Sequence, residues 1–353
     1  MADQGQTLLD RPRSAALRAV LCAAFATLLV AGAAHADEPV TLRMAIPGGG
    51  SFSPTWSQML QPWINTVEAD SSGTLKLQPF FGNALADLFN VYDRVVSGVA
   101  DIGNGVQGSV GGKFPGSSVV ELPSDINARE GAAAFWKLYQ DGLIAKEYEG
   151  VKILALFVYP QSFLNANKPV ARLEDAKGLR VATLTKADAR MAQLLGGAPL
   201  STNPVEVYQI LQHRGADGVI IGWLGLVGFK LAEVTDHHLV IGLGSGGGFL
   251  MMNKDAYAKL PTKAKAALDK HSGYEASRDA FGAALDRIYA NSQAVVRGQP
   301  KQAIATLSPD DLASYQKNLV EPLNAEWQKS VPNGTAIFAA YRAEAARLRQ
   351  EQK

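Results

Sequence analysis

Few side chains in this 353-residue sequence stand where they could make or break a covalent bond, while many could hold a small molecule. The only cysteine, Cys22, lies in an apolar N-terminal stretch, so the chain beyond it has no thiol nucleophile, disulfide or Cys-ligated zinc. No Gly-x-Ser-x-Gly elbow is present, and Ser51, Ser109 and Ser245 each miss that pattern. His237 and His238 are adjacent, so their side chains diverge; with no third ligand at metal spacing, both read as surface residues. Gly242-x-Gly244-x-x-Gly247 follows an apolar run as a dinucleotide loop would. Such a loop needs a helix next, and Phe249 to Asn253 reads as a strand, so the glycines suit a hinge. Acid pairs such as Asp310-Asp311 read as a first helical turn behind Ser308 and Pro309. No enzyme, metal or cofactor is expected from these groups.

Residues suited to non-covalent work gather where predicted strands end: Gly48 to Phe52, Gly82-Asn83, Asn104 to Gln107, Tyr159 to Phe163, Ala182 to Thr185 and Gly222-Trp223. They are rich in Gly, Asn, Gln, Ser and aromatics and poor in charge, a composition that suits an apolar pocket with a few hydrogen-bonding groups. The candidate ligand-binding residues are Gly49, Ser51, Asn83, Gln107, Tyr159, Gln161, Ala182, Thr183, Asn203, Trp223 and Phe249. Trp223 could stack on a solute or pack against Phe229. Tyr159 and Phe163 suit pocket and core equally, and Trp56 and Trp63 belong to a core stripe.

The elements that must carry these loops repeat. A strand from Val40 to Ile46 runs into a glycine loop, and a helix bent at Pro62 carries Trp56, Met59, Leu60, Trp63, Ile64 and Val67. A strand Leu75 to Phe81 and a helix through Leu88, Tyr92, Val95 and Val99 follow, closed by Gly98-Val99-Ala100-Asp101. The same grammar returns as a strand Leu179 to Leu184, a helix through Met191 and Leu195, a short strand near Pro199, a helix Val205 to His213, and Gly215-Ala216-Asp217-Gly218. This predicts two β-α-β-α-β lobes, with the ligand crevice beyond the carboxyl ends of their strands. A helix over 272–296 would be close to 40 Å long, enough to lie across both lobes. The expected division is lobe I over 37–158 completed by part of 247–353, lobe II over 159–246, and C-terminal helices over 307–353.

Arg11, Arg13 and Arg18 ahead of the apolar run Ala19 to Val30, with Ala34-His35-Ala36 after it, predict a cleaved export signal over 1–36. The run is too short for a membrane span. The whole chain carries 34 basic and 33 acidic residues; three and two of these fall in the leader, which leaves 31 of each. With no basic patch, nucleic acid is not an expected partner.

Six landmarks in order carry a resemblance over nearly all the remaining chain. They are Gly98-Val99-Ala100-Asp101-Ile102-Gly103; Phe114-Pro115 with Glu121-Leu122-Pro123; Leu173-Glu174-Asp175-Ala176-Lys177-Gly178-Leu179; Glu206-Val207-Tyr208; Ala216-Asp217-Gly218-Val219 with Trp223; and Met252-Asn253-Lys254 with Leu260-Pro261. The chain resembles the extracytoplasmic solute receptors of TRAP transporters, the DctP family. The resemblance implies an α/β, two-lobed fold like type II periplasmic binding proteins, with a long helix spanning both lobes and hinge closure over a small organic solute. It implies a periplasmic monomer that delivers to one small and one large membrane subunit. A periplasmic sensing subunit with the same fold is the alternative. In most of the family an arginine two places after a basic residue grips the ligand carboxylate; here Arg180 and Val181 are followed by Ala182. Either the clamp is absent or Arg180 substitutes for it. Around Trp223 the family's Pro and Glu are replaced by Gly222 and Leu224.

Overall fold

The computed structural model describes residues 39–48 and 50–351; the predicted leader and Gly49 lie outside them. Strand β1 (Val40–Ile46) lies between β2 (Leu75–Phe81) and β3 (Ile102–Val106), all parallel. Beyond β3 come β10 (Gly247–Met252) and β4 (Lys152–Val158), with β10 antiparallel to both neighbours, so the first sheet has the order β2-β1-β3-β10-β4. The second sheet has the order β11-β9-β5-β8-β6-β7, built from β5 (Phe163–Ala166), β6 (Arg180–Thr183), β7 (Ala198–Ser201), β8 (Gly218–Ile221), β9 (His237–Leu239) and β11 (Ala303–Ala305). In it β6 runs parallel to β7 and β8, while β5 is antiparallel to β8 and β9. The architecture is a two-lobed α/β fold.

Three chain crossings join the sheets: a long one through the helices between β10 and β11, and two short ones, residues 159–162 between β4 and β5 and residues 240–246 between β9 and β10. The two short crossings lie side by side: Tyr159 N donates to Gly246 O at 2.8 Å, Ser162 N to Gly244 O at 2.6 Å and Leu243 N to Ser162 O at 2.9 Å. A strand, β10, follows the glycine run, which rules out the dinucleotide reading. Gly244 has φ +120°, and a Cβ there would stand 2.5 Å from Glu121 O, so only glycine fits.

A π-helical segment, Ala276–Gly282, continues as the helix Ala283–Arg297. Its Phe281, Leu285 and Ile288 pack in the first lobe's core, while Val296 and Tyr289 join the second's. Gly282 lets this helix touch the helix Ala128–Gln140, whose first amides donate to Asp286: Ala128 N at 2.9 Å and Arg129 N at 3.0 Å. Where the sequence suggests a bend at Pro62, a π-helical turn, Trp56–Leu60, precedes the proline. A second such turn, Gln316–Val320, precedes Pro322. A proline donates no N–H and its ring crowds the carbonyl four residues back, and a widened turn relieves both problems.

His238 is not a surface residue. It is fully buried in β9, between Asn165 Oδ1 at 2.7 Å and Gln302 Oε1 at 2.6 Å, because β9 lies inside its sheet between β5 and β11.

The two Ala-Asp corners, Ala100-Asp101 and Ala216-Asp217, do the same job in the two lobes. Arg43 makes a two-pronged contact with Asp101, Nε to Oδ2 and Nη2 to Oδ1 both at 3.0 Å, while Nη2 also donates to Gly98 O at 2.7 Å. Arg180 repeats it on Asp217, with both prongs at 3.1 Å, and donates to Arg214 O at 2.8 Å. Gly98 and Arg214 occupy equivalent places and share a left-handed backbone, φ 73° and 57°. The hydrogen bonds from Arg180, with help from Lys168, hold the Asp217 carboxyl well below the usual range. Its contribution is therefore present above the ordinary carboxyl pKa and is lost as the pH falls below it. Asp217→Asn should lower Tm at pH 7 by roughly 2–4 °C, a gap that narrows as the pH drops below about 4. An equal gap at pH 7 and pH 2.5, read by circular dichroism melts, would contradict this.

Candidate functional site

The two short crossings form the floor on which the site is built. Gln161, in the first crossing, ties it together: its Oε1 accepts from Ser124 N at 3.3 Å and Gly244 N at 3.1 Å, and its Nε2 donates to Ser124 Oγ at 3.2 Å. Tyr159 stands beside it, its hydroxyl pushed up to about 12 by burial. Gln107, just past the carboxyl end of β3, is buried and donates from Nε2 to the Tyr148 hydroxyl at 3.1 Å and Gly248 O at 3.4 Å, while its Oε1 has no partner. Thr183, at the carboxyl end of β6, is buried with an unpartnered hydroxyl.

Other candidates stand elsewhere. Ser51 and Asn83 are exposed in the loops after β1 and β2. Asn203 accepts from Val205 N at 3.2 Å and caps the short turn Pro204–Glu206. Phe249 is fully buried in the first lobe, 6.0 Å from Phe114 between ring centroids. Ala182 and Trp223 share one apolar cluster in the second lobe; the indole is fully buried, 4.4 Å from Phe163 and 5.6 Å from His238 between centroids. Arg180 is engaged at the amino end of β6, about 10 Å of strand away from Thr183. Its guanidinium is spoken for by Asp217, so it does not substitute for a clamp at position 182.

Sequence reasoning passed over two residues, Glu121 and Asp188. Glu121 ends the turn Ser117–Glu121, and Ser245 N of the second crossing donates to its backbone carbonyl at 3.2 Å. Its side chain is buried and Oε1 has no hydrogen-bond partner. A Cβ at Gly108 would lie 2.5 Å from that oxygen and 3.1 Å from Thr185 Cγ2, so Glu121 lies where the two lobes meet. Thr185 and Asp188 cap the helix Lys186–Leu194, with Asp188 N donating to Thr185 Oγ1 at 3.0 Å and Asp188 Oδ2 accepting from Leu184 N and Thr185 N. Burial, then the charge of Asp188, pushes Glu121 up to about 8; burial lifts Asp188 to about 6 against its backbone hydrogen bonds. Asn104, expected at the start of one strand-end loop, lies within β3 and is buried with Oδ1 unpartnered. The signal for Glu121 was an acid inside the apolar run Val119-Val120-Glu121-Leu122.

The candidate site is thus a set of hydrogen-bonding groups drawn from both lobes, with two buried carboxyls among them, over a paired-strand floor. Residues 51–330 match the bacterial extracellular solute-binding protein family 7, DctP. The chain belongs to that family. A solute-binding protein of Albidiferax ferrireducens is 23% identical over 229 residues, 61% of this chain and 65% of that protein's length, so the match spans less than two thirds of this relative. The structure is similar to a TRAP solute-binding protein of Rhodoferax ferrireducens with copurified benzoate (TM-score 0.82, 23% identity, 89% of this chain and all of that one). It is also similar to a marine metagenome TRAP protein with 3-hydroxybenzoate (0.83, 23%, 88% and 99%) and to one from Bordetella bronchiseptica with mandelate (0.79, 24%, 88% and 100%).

For this DctP-family chain, the burial of Ala182 makes a sharp prediction. An arginine there would overpack the Phe163–Trp223 cluster and bury a cation, so Ala182→Arg should destabilise the fold by about 3 kcal/mol or more. Urea melts check it; an unchanged midpoint would show that the side chain escapes into the cleft.

Proposed function

We propose that this chain is the solute receptor of a TRAP-type transporter, a binding protein and not an enzyme. It captures a small organic acid between its lobes and delivers it to a small and a large membrane subunit in a process driven by an ion gradient. Export to the periplasm with removal of residues 1–36 belongs to the same reading. The observation that carries it is the set of buried, unpartnered polar atoms contributed by both lobes: Gln107 Oε1 and Glu121 Oε1 from the first and Thr183 Oγ1 from the second. A buried polar group without a partner destabilises a fold by about 1–3 kcal/mol, so several at one lobe junction suit a place that a ligand completes. We assign Gln107, Glu121, Gln161 and Thr183 to the solute site, with Tyr159 beside them.

Support for an acid comes from the similar structures, which hold benzoate, 3-hydroxybenzoate and mandelate, each a compact monocarboxylate. A dicarboxylate fits poorly, because no Lys or Arg is buried among the described residues. The sensing alternative has no observation in its favour.

Thermal-shift screening of protein stripped of bound solute tests the reading. A monocarboxylic acid at 100 times its Kd should add about 2.7 kcal/mol and raise Tm, while succinate and malate should leave it unmoved. Tight succinate or malate binding would sink the solute class. A broad library with no stabilising member would sink the receptor reading.

A further inference from the structure

An acid-binding cleft normally supplies a buried positive charge, and none is found among the described residues. The buried polar and charged residues among those described are Ser, Thr, Asn, Gln, His, Asp and Glu, without a lysine or arginine. Four of the buried groups are carboxyls: Glu130 and Asp217 are paired with Arg349 and Arg180, while Glu121 from one lobe and Asp188 from the other have no basic partner. If both of the latter were ionised, a solute carboxylate between the lobes would meet like charge. Asp188 is occupied, since its Oδ2 accepts two backbone amides at 3.2 and 3.0 Å. Glu121 Oε1 is buried with no hydrogen-bond partner, at a point close to both Gly108 and the Thr185 methyl.

The geometry points to Glu121 in its acid form as the hydrogen-bond donor to the solute carboxylate, a proton doing the work that a basic side chain would otherwise do. This rests on the acid-receptor reading above. In this arrangement the proton comes from solvent onto Glu121 as the cleft shuts, and its O–H donates to a solute oxygen. Burial makes this favourable: with its acid form retained to about 8, Glu121 is mostly protonated at neutral pH when the lobes are together. A carboxylic acid kept neutral by its surroundings is a competent donor. Asp188 is the charged group that bears on Glu121; the flanking Gln107 and Thr185 are neutral, and the Tyr159 hydroxyl stays protonated to about 12. With the lobes apart Glu121 returns toward the ordinary carboxyl range near 4.3, so closure takes up a proton between that range and about 8. Affinity for the acid is then full at low pH and lost as the pH rises.

The test is calorimetric titration with benzoate, or with whichever monocarboxylate stabilises most, between pH 6.5 and 8.5, above the midpoint of Asp188 near 6. The wild-type Kd should weaken about tenfold or more across this window, and that of Glu121→Gln, which keeps a neutral donor, less than about twofold. In two buffers of different ionisation enthalpy at pH 7.5, the wild-type protein should take up close to one proton per solute. That second readout needs no variant, so misfolding of Glu121→Gln leaves the test intact. Wild-type binding that is flat in pH without proton uptake overturns the inference and leaves the acid receptor standing. Binding of amines or neutral solutes with no acid binding at any pH overturns both this inference and the acid class, but leaves the receptor.

Discussion

The two-pronged clasp of Arg43 on Asp101, repeated by Arg180 on Asp217, decides what the rest of the molecule can do. Each clasp ties one parallel strand, at the middle of β1 and at the start of β6, to the corner that opens its neighbour, and each also holds the carbonyl of a left-handed residue. The strands of both lobes are thereby aligned from their amino ends, which leaves their carboxyl ends to shape the cleft. The clasp also consumes the one arginine on β6. With Arg180 held there and Ala182 packed in one cluster with Phe163 and Trp223, β6 presents no free basic side chain at its carboxyl end.

That constraint carries over to the hinge. The Ser117–Glu121 turn is pinned to the second crossing through Ser245, and glycine at 244 lets the chains approach closely. Glu121 is therefore fixed at the junction of the lobes, away from bulk water, where ionisation is opposed by burial and by Asp188. In a low-dielectric site an unpaired charge is far harder to hold than a neutral hydrogen bond, so protonation is the available way to satisfy an anionic guest.

The fold was legible because it was written in repeated local signals. The alternation through Val40–Ile46, the turn residues after each strand and the two Asp corners specify strands and joints without tertiary knowledge. What the pattern could not show was which face a residue of a doubly covered strand presents. Trp223 and Phe249 sit at strand ends in sequence but turn into the apolar interior, and His238 looks polar yet lies inside a sheet. Glu121 was visible only as an acid among apolar neighbours. Its lack of a partner depends on residues distant in sequence, Thr185, Asp188 and Ser245, which no spacing rule connects.

The most direct measurement is the identity of the solute that the chain itself carries when purified without refolding, released by denaturation and analysed by mass spectrometry. A cleft of neutral donors around a protonated carboxyl should release a small monocarboxylic acid, close to one per chain. Release of a dicarboxylate or a phosphorylated compound, whose charge this site cannot balance, would contradict it.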